Sequence, residues 1–384
     1  MGRRKTSTAL EGLRGDAPRA GMSISRIAAW SHNTRCPTAA AAFAGRVDLD
    51  NLLVGTTFEA EVGESPFMRQ RGRLFEDRVR RDGYKDLVPI LKDQLDFPSS
   101  EVQPLNLKDK YPPNTKGFEL RATATKEWLE RVLSGDRKAP DLIEGAVLGL
   151  DLGGFVAYFE ADGIGVRTGP VIHGIEMKSW PQVDGRVDDP SKASEAMRQL
   201  GFYLHLLRVA VAELGEDPDV VSETGLLVTP KNIGLTPVGG TRALAREIAL
   251  AEATIARLPR VADYAPLVAE GISFGPVAAS NEAVAARLEH LASLTERLGT
   301  HYQTSCIGSC GLAKFCRAQR HADGDPHVCG TQVARFLPGV PTLSRAADLA
   351  KGASPTAEET KTGVAPFLAL AGSLYAERAP MQPR

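Results

Sequence analysis

The sequence predicts an α/β fold in which a mixed central sheet is flanked by helices. Three short apolar runs, at residues 142–148, 155–160 and 171–177, are separated by turns that contain glycine, which is typical of three strands joined in a meander. A helical pattern follows, which Ser191 or Ser194 is expected to cap and which continues to about Leu214, and a further strand pattern occupies 226–230. Because a strand that follows a helix usually returns to the same sheet in parallel, we expect the sheet to be mixed.

Composition and charge narrow the class of protein. The 384 residues are 43% hydrophobic and 24% charged, as in ordinary globular proteins. The formal net charge of -1 excludes a protein-wide polycation, so any contact with nucleic acid must depend on local basic patches. No apolar run approaches the roughly 18 residues of a membrane-spanning helix, and the chain start lacks the apolar segment of a secretion signal. We therefore expect a cytoplasmic protein that does not bind membranes.

The two ends of the chain are expected to differ from its body. Residues 1–21 are polar and basic, which predicts a disordered start. One domain is expected over 22–345, with its core at 67–240, and a tail rich in Ala, Pro, Thr and Gly over 346–384. Helical patterns or helix-start signals predict helices at 23–30, after Cys36, and at 67–82, 123–133, 241–258 and 281–301.

Two carboxylates and a lysine accompany the second and third strand patterns. Asp162 follows the second pattern, and Glu176 and Lys178 flank a single residue at the end of the third. Because residues i and i+2 share one face of a strand, Glu176 and Lys178 are expected to converge with Asp162 on one pocket.

Such a pocket has the chemistry to hold a divalent cation and a water molecule. Carboxylate oxygens suit Mg²⁺ or Mn²⁺, and such an ion neutralises a phosphate and activates water. Lys178 is expected to orient that water or to help deprotonate it, with a pKa lowered by neighbouring cations. The residues therefore predict a metal-dependent nuclease. The alternative is an exposed Glu-x-Lys ion pair beside an aspartate that starts a turn.

The longer order of polar residues resembles a known nuclease family. Asp162, Glu176 and Lys178 are followed by Gln199 and Tyr203, which lie four residues apart on one helical face. This order resembles the RecB-type branch of the PD-(D/E)XK nuclease superfamily. The resemblance implies a restriction-endonuclease-like fold, and it implies that Gln199 and Tyr203 support the site and contact the nucleic acid.

The same branch has an upstream helix in which a glycine precedes a metal-ligating histidine by four residues. Gly72 and Glu76 occupy these positions here, with glutamate in place of histidine. Since glutamate also ligates hard cations, the resemblance implies a metal site formed by Glu76, Asp162 and Glu176. The substitution also gives weight to an alternative function, a non-catalytic nucleic-acid-binding or scaffold subunit that retains the fold.

The five cysteines are not arranged as a disulfide framework. Their number is odd, and the chain has no secretion signal. Cys306, Cys310 and Cys316 fall within eleven residues, which is typical of metal ligands.

Together with Cys36 in the sequence Arg35-Cys36-Pro37, these three cysteines resemble the ligand set of the iron–sulfur subgroup of the same nucleases. In its AddB-type and CRISPR-associated members, one cysteine before the core and three after it bind a 4Fe-4S cluster. The C-x5-C spacing matches, while C-x3-C replaces C-x2-C. The resemblance implies that the cluster joins a layer made of residues 22–50 and 281–330. Tetrahedral zinc, with Cys329 in place of Cys36, and unligated thiols are the alternatives.

The resemblance thus implies a Mg²⁺- or Mn²⁺-dependent deoxyribonuclease. We expect an exonuclease that acts on DNA ends or single strands, in DNA repair or in defence against phage and mobile elements. The expected partners are DNA and a separate helicase or defence-complex subunit. Cleavage of RNA is a second possible enzyme activity.

Overall fold

The computed structural model describes residues 11–60, 66–97, 102–111, 114–152, 155–167, 169–183, 186–187, 189–279 and 281–378. It is a mixed α/β structure that is 54% helical, as the sequence predicts for the fold class. The chain divides into two compact units. The sheet unit comprises Met22–Ile27 and Gly63–Arg260, and the helical unit comprises Met1–Gly21, Ala28–Val62 and Val261–Arg384.

The strands belong to one large sheet and two small ones. In chain order they are β1 Pro104–Asn106, β2 Leu142–Glu144, β3 Val147–Asp151, β4 Val156–Glu160, β5 Gly163–Arg167, β6 Val171–Met177, β7 Gln182–Val183, β8 Arg186–Val187, β9 Thr224–Pro230 and β10 Pro237–Ala243.

The α-helices vary from one turn to more than six. In chain order they are α1 Ile24–Ser31, α2 Pro37–Ala44, α3 Leu49–Leu52, α4 Pro66–Tyr84, α5 Val88–Leu95, α6 Thr115–Leu133, α7 Pro190–Glu213, α8 Ala245–Ile255, α9 Ala265–Ala269, α10 Gly275–Ala278, α11 Val284–Leu298, α12 Ala313–Ala322, α13 Thr331–Arg335, α14 Leu343–Ala350, α15 Ala357–Lys361 and α16 Val364–Arg378. Among the described residues, no helix is both long and apolar enough to cross a membrane.

The large sheet has six strands in the order β1-β2-β5-β6-β9-β10. Strands β2, β5 and β6 are antiparallel neighbours, while β6 and β9 are parallel and are connected through α7. In this register Glu176 lies opposite Leu227. The predicted parallel return of residues 226–230 is therefore confirmed.

The predicted meander is wrong in one strand. Strand β4 pairs with β3 in a separate two-stranded sheet, and β5 takes the predicted place between β2 and β6. The first apolar run is interrupted at Gly145, whose φ of +68° suits glycine and turns the chain out of β2. In β5, a Cβ on Gly165 would lie 2.5 Å from the ring of Phe97, so glycine allows close packing there.

Helix α7 packs against the sheet and fixes the site residues that it carries. Its N-cap is Asp189, whose side chain accepts a hydrogen bond from the backbone N–H of Ser191, and Pro190 occupies the first turn. The prediction of Ser191 or Ser194 as the cap is therefore wrong. Leu200 and Leu204 pack over Gly174 of β6, where a side chain would leave no room for them.

Helix α4 covers another part of the sheet-unit core. Phe75 and Val79 are buried in one cluster with Ile175 and Leu226 of the central strands. The helical backbone is interrupted at Arg81, and the next residues have positive φ, which agrees with the predicted helix end near residue 82.

The described residues from Glu11 onward are more ordered than the sequence predicts for the start of the chain. Leu13 and Ala17 are buried in the core of the helical unit with Leu52 and Phe274, so the prediction of disorder over 1–21 is wrong for this part, while residues 1–10 lie outside the described residues. The predicted tail contains helices that pack around Leu349 and its neighbours. The apolar side chains of these largely polar segments thus suffice to join a core.

Candidate active site and thiol cluster

The central strands bring together the three residues on which the predicted active site depends. Asp162 lies directly before β5, Glu176 lies in β6, and Lys178 follows β6. The backbone N–H of Met177 donates to Asp162 Oδ2 at 2.8 Å, and Lys178 Nζ lies 2.7 Å from Glu176 Oε1. The antiparallel pairing of β5 with β6 therefore places both carboxylates and the ammonium group in one pocket.

Glu176 is the most strongly perturbed of these groups. Its side chain is buried, and its Oε2 has no hydrogen-bond partner among the described residues. Burial raises its pKa to about 8, and the charge of Asp162 adds to this effect while Lys178 opposes it. Burial also raises the pKa of Asp162, against the opposing charge of Lys178. The pocket therefore disfavours two ionised carboxylates beside a single ammonium group.

Lys178 connects the carboxylates to α7. Its Nζ donates to Gln199 Oε1 at 2.8 Å, and Gln199 Nε2 donates to Glu195 Oε1 at 3.3 Å. Burial lowers the pKa of Lys178, but the charges of Glu176 and Asp162 outweigh it and the pKa is raised. The predicted lowering concerns a site that holds cations, so it stays a prediction; in the protein alone the neighbouring anions raise the pKa of this lysine.

Tyr203 lies one helical turn beyond Gln199. Burial raises its pKa well above 10, and the nearby charges of Glu176 and Asp162 raise it further. The phenol therefore remains protonated beside the carboxylates. Both α7 residues thus share the electrostatic environment of the pocket.

Glu76 lies at the flank of the pocket and is already engaged. Its Oε2 is 2.7 Å from Arg80 Nη2 and 3.7 Å from Lys108 Nζ. The charge of Glu76 contributes to the raised pKa of Asp162, which indicates that the two carboxylates are near enough to interact electrostatically. As a metal ligand, Glu76 must exchange part of its ion pairing for the cation.

A network of charges beside the pocket was missed from the sequence. Lys108 Nζ lies 2.9 Å from Glu160 Oε1 and 3.9 Å from Glu144 Oε1, and Arg121 Nη2 lies 2.8 Å from Glu160 Oε2. Burial raises the pKa of Glu160, but the charges of Lys108 and Arg121 outweigh the effect of burial, so the pKa is lowered overall. One signal was present in the sequence: a glutamate that ends a buried strand requires a cationic partner.

The carboxylate pocket has the donor chemistry of a hard-cation site. Within the part of the chain that the structure describes, no three His, Cys, Asp or Glu side chains form a ready-made metal-binding group. The unpartnered Glu176 Oε2, next to Asp162, is nevertheless a buried acceptor of the type that Mg²⁺ and Mn²⁺ take as a ligand. The residues present therefore fit such an ion.

Four cysteines of the helical unit are near enough for electrostatic interaction. Cys36 is the N-cap residue of α2, as the sequence predicts, and Cys306 lies in a 3₁₀ turn, Thr304–Gly308. Cys306, Cys310 and Cys316 share a small buried cluster. The two chain segments are connected through Asn33, whose Nδ2 donates to Cys306 Sγ at 3.2 Å and to a backbone carbonyl of the same segment.

The thiols influence one another electrostatically. Burial raises the pKa of Cys310 to about 12, and the charges of Cys306 and Cys36 add to it. Burial likewise raises the pKa of Cys316 to about 12, with contributions from Cys310, Cys36 and Cys306. Cys329 is exposed. Burial thus favours the neutral form of Cys310 and Cys316 in the protein alone, and the thiols whose charges act on both of them include Cys36. Thiolate sulfur suits zinc and iron–sulfur clusters, although no three of these side chains form a ready-made metal-binding group in the described part of the chain.

Comparisons with known proteins add little to this geometry. No protein-family model matches the chain, and no curated protein matches it. A solved structure titled "Crystal structure of SSO0001" matches over 44% of this chain and 84% of that chain, with 20% sequence identity and a TM-score of 0.18. At that TM-score the likeness supports no argument about fold or function.

Proposed function

We propose that the chain is a metal-dependent deoxyribonuclease with a restriction-endonuclease-like fold. The observation that carries this proposal is the buried Glu176, which has one carboxylate oxygen bound to Lys178 and the other without a partner among the described residues, close to Asp162. A buried carboxylate in this state is costly unless a cation compensates it.

Asp162 and Glu176 would hold Mg²⁺ or Mn²⁺, and Glu76 would complete the set from the flank. When bound, such an ion neutralises charge on a phosphate and lowers the pKa of a coordinated water. To bind the metal ion, Glu76 would have to give up part of its contact with Arg80. Arg80 therefore competes with the metal ion for this carboxylate.

Lys178 acts as a positioned ammonium group. It would orient a water or a phosphate oxygen by donating hydrogen bonds, or help to deprotonate the attacking water. Gln199 fixes the direction of the lysine side chain, and the protonated phenol of Tyr203 offers a further donor to the substrate.

Cleavage assays on labelled single- and double-stranded DNA, with Mg²⁺ or Mn²⁺, test this function. We expect Asp162→Ala and Lys178→Ala to lose activity by about 100-fold or more. Lys126→Ala removes an exposed lysine from α6 and is the matched control, with activity unchanged. Full activity in either site variant contradicts the proposal. A wild-type protein that binds no Mn²⁺ by calorimetry and cuts no DNA points instead to the scaffold function, and selective cleavage of RNA identifies a ribonuclease.

The same proposal includes a structural 4Fe-4S cluster held by Cys36, Cys306, Cys310 and Cys316. Protein purified without air is expected to be brown, and Cys36→Ser is expected to lose the visible absorption and iron, while Cys329→Ser retains both. A colourless protein with stoichiometric zinc overturns the cluster in favour of a zinc site.

The proposed biological setting is DNA repair or defence against phage and mobile elements. In that setting the chain degrades DNA ends or single strands, and a separate helicase or defence-complex subunit supplies the unwound substrate.

A further inference from the structure

Large apolar side chains are exposed on α4 and on the loop that joins β9 to β10. Phe67, in the first turn of α4, is 70% exposed, and Leu74, two turns later on the same helical face, is 50% exposed. Ile233, in the loop that joins β9 to β10, is 86% exposed. Large apolar side chains that are exposed to water gain none of the free energy of burial, so several of them on neighbouring elements indicate a binding surface.

Arg71 connects this apolar helix face to the loop and to the end of the active-site strand. Its Nε donates to the carbonyl of Ser179 at 2.9 Å, directly after Lys178, and its Nη2 donates to the carbonyl of Ile233 at 3.3 Å. Phe67 precedes Arg71 by one helical turn, and helical side chains lean towards the N-terminus. Arg71 therefore holds the loop of Ile233 against the part of α4 that lies one turn after Phe67.

The charge around these side chains is positive although the whole protein is nearly neutral. Between Pro66 and Phe75, α4 carries Arg69, Arg71 and Arg73 and no acidic residue. Arg69 and Arg73 are exposed and lie one helical turn apart, and Lys231 is exposed in the loop beside Ile233. Exposed cations interleaved with apolar side chains are complementary to a polyanion whose bases are accessible.

We propose that Phe67, Arg69, Arg73, Lys231 and Ile233 form a rim that binds single-stranded DNA and selects it over duplex. Unpaired bases pack on Phe67 and Ile233, while Arg69, Arg73 and Lys231 contact the phosphates. A duplex keeps its base faces inside the stack, so only the phosphate contacts are open to it. Arg71 links α4 to the backbone of Ile233 and to the residue that follows Lys178. The inference rests on the proposed function for its substrate, DNA, although binding at the rim does not require cleavage.

Fluorescence anisotropy in EDTA tests the rim without cleavage. The probes are labelled oligothymidylate and a labelled mixed-sequence duplex, and the variant of the full chain is the double substitution Phe67→Ala with Ile233→Ser. We expect its affinity for oligothymidylate to fall roughly tenfold or more, and its affinity for the duplex to change little. Both side chains are exposed, so the fold is expected to persist, as thermal unfolding will show.

Two further variants separate the apolar contribution from the charge. Leu250→Ser removes a similarly exposed apolar side chain from α8 and is the matched control, with both affinities unchanged. Arg69→Ala with Arg73→Ala is expected to weaken binding of both probes and to reduce the salt dependence of binding, because it removes phosphate contacts only.

The outcomes distinguish the rim from the proposed nuclease. The rim is overturned if the Phe67/Ile233 variant binds oligothymidylate as the wild type does, if it loses both probes equally, or if oligouridylate binds the wild type more tightly than oligothymidylate does. If the wild type cuts no DNA but this variant loses single-strand affinity selectively, the nuclease fails and the rim stands. If Lys178→Ala abolishes cleavage while the variant binds and cuts normally, the nuclease stands and the rim fails.

Discussion

Two buried glutamates in the same sheet differ in how their charge is satisfied. Glu144 in β2 and Glu176 in β6 are each 1% exposed. Glu144 Oε1 accepts from Arg80 Nε at 2.7 Å, and its Oε2 accepts from the Tyr84 hydroxyl at 2.5 Å. Glu176 contacts Lys178 through one oxygen, and its other oxygen has no partner among the described residues.

The difference teaches that burial alone does not distinguish a structural carboxylate from a candidate ligand. Both glutamates carry the desolvation cost, but Glu144 recovers it through charge-assisted hydrogen bonds to both of its oxygens. Glu176 faces Asp162, another carboxylate, and its pKa is raised to about 8. A carboxylate that is left buried beside another is poised to bind a cation rather than to stabilise the fold.

The two glutamates are expected to differ most in their effect on DNA cleavage. Glu176→Gln keeps the side-chain volume but removes the charge that would hold a cation, so DNA cleavage is expected to fall by about 100-fold or more. Glu144→Gln, measured in the same assay, is expected to keep activity within about tenfold, since that group acts on the fold. Equal losses in the two variants contradict the division of roles.

For the free energy of unfolding, the glutamate that is expected to matter more is Glu144. Glu144→Gln breaks a buried pair and leaves Arg80 partly uncompensated, so the free energy of unfolding is expected to fall by about 3 kcal/mol. Urea unfolding in EDTA measures it, and Asp136→Asn, which alters the exposed ion pair with Arg131, is the control with a much smaller effect. A Glu144→Gln protein as stable as the wild type shows that this network does not support the fold.

The effect of Glu176 on stability is expected to depend on pH. Its folded pKa of about 8 exceeds the ordinary value of 4.5, so its contribution to stability is full below about pH 4.5 and is lost as the pH rises through 8. Without divalent cations, Glu176→Gln is therefore expected to be more stable than the wild type, by on the order of 2 kcal/mol at pH 8 and much less at pH 5. Thermal unfolding in EDTA at the two pH values measures it. A difference that does not change with pH rules out the raised pKa.

The smallest effect is expected from the tyrosine that satisfies Glu144. Tyr84→Phe removes the hydroxyl donor and leaves Glu144 Oε2 without that partner, which gives Glu144 one feature of Glu176. The free energy of unfolding is expected to fall by about 1 kcal/mol, as measured by urea unfolding. Tyr158→Phe, on the small sheet formed by β3 and β4, is a matched control in which little change is expected. An equal loss in the control indicates that the bond to Glu144 is not the cause.

The sequence was most informative where chemistry and local periodicity coincide. Strand periodicity predicted that Glu176 and Lys178 share a face, near Asp162, and the family resemblance added Gln199 and Tyr203; the structure gathers these side chains around one pocket. The partners of Glu144 could not be identified in this way. Arg80 and Lys108 are separated from it by many residues and lie on elements whose packing no local pattern specifies.

The sequence by itself determined the α/β class, the strand and helix that carry the candidate site, the cap position of Cys36 and the parallel return of β9, because these follow from hydrophobic periodicity and local backbone preferences. Only the tertiary structure decided that β5 rather than β4 enters the central sheet, that residues after Glu11 join a core, and that Glu144 is satisfied while Glu176 is not. These outcomes depend on long-range packing and on the full set of charges around a buried group, which no short stretch of sequence contains.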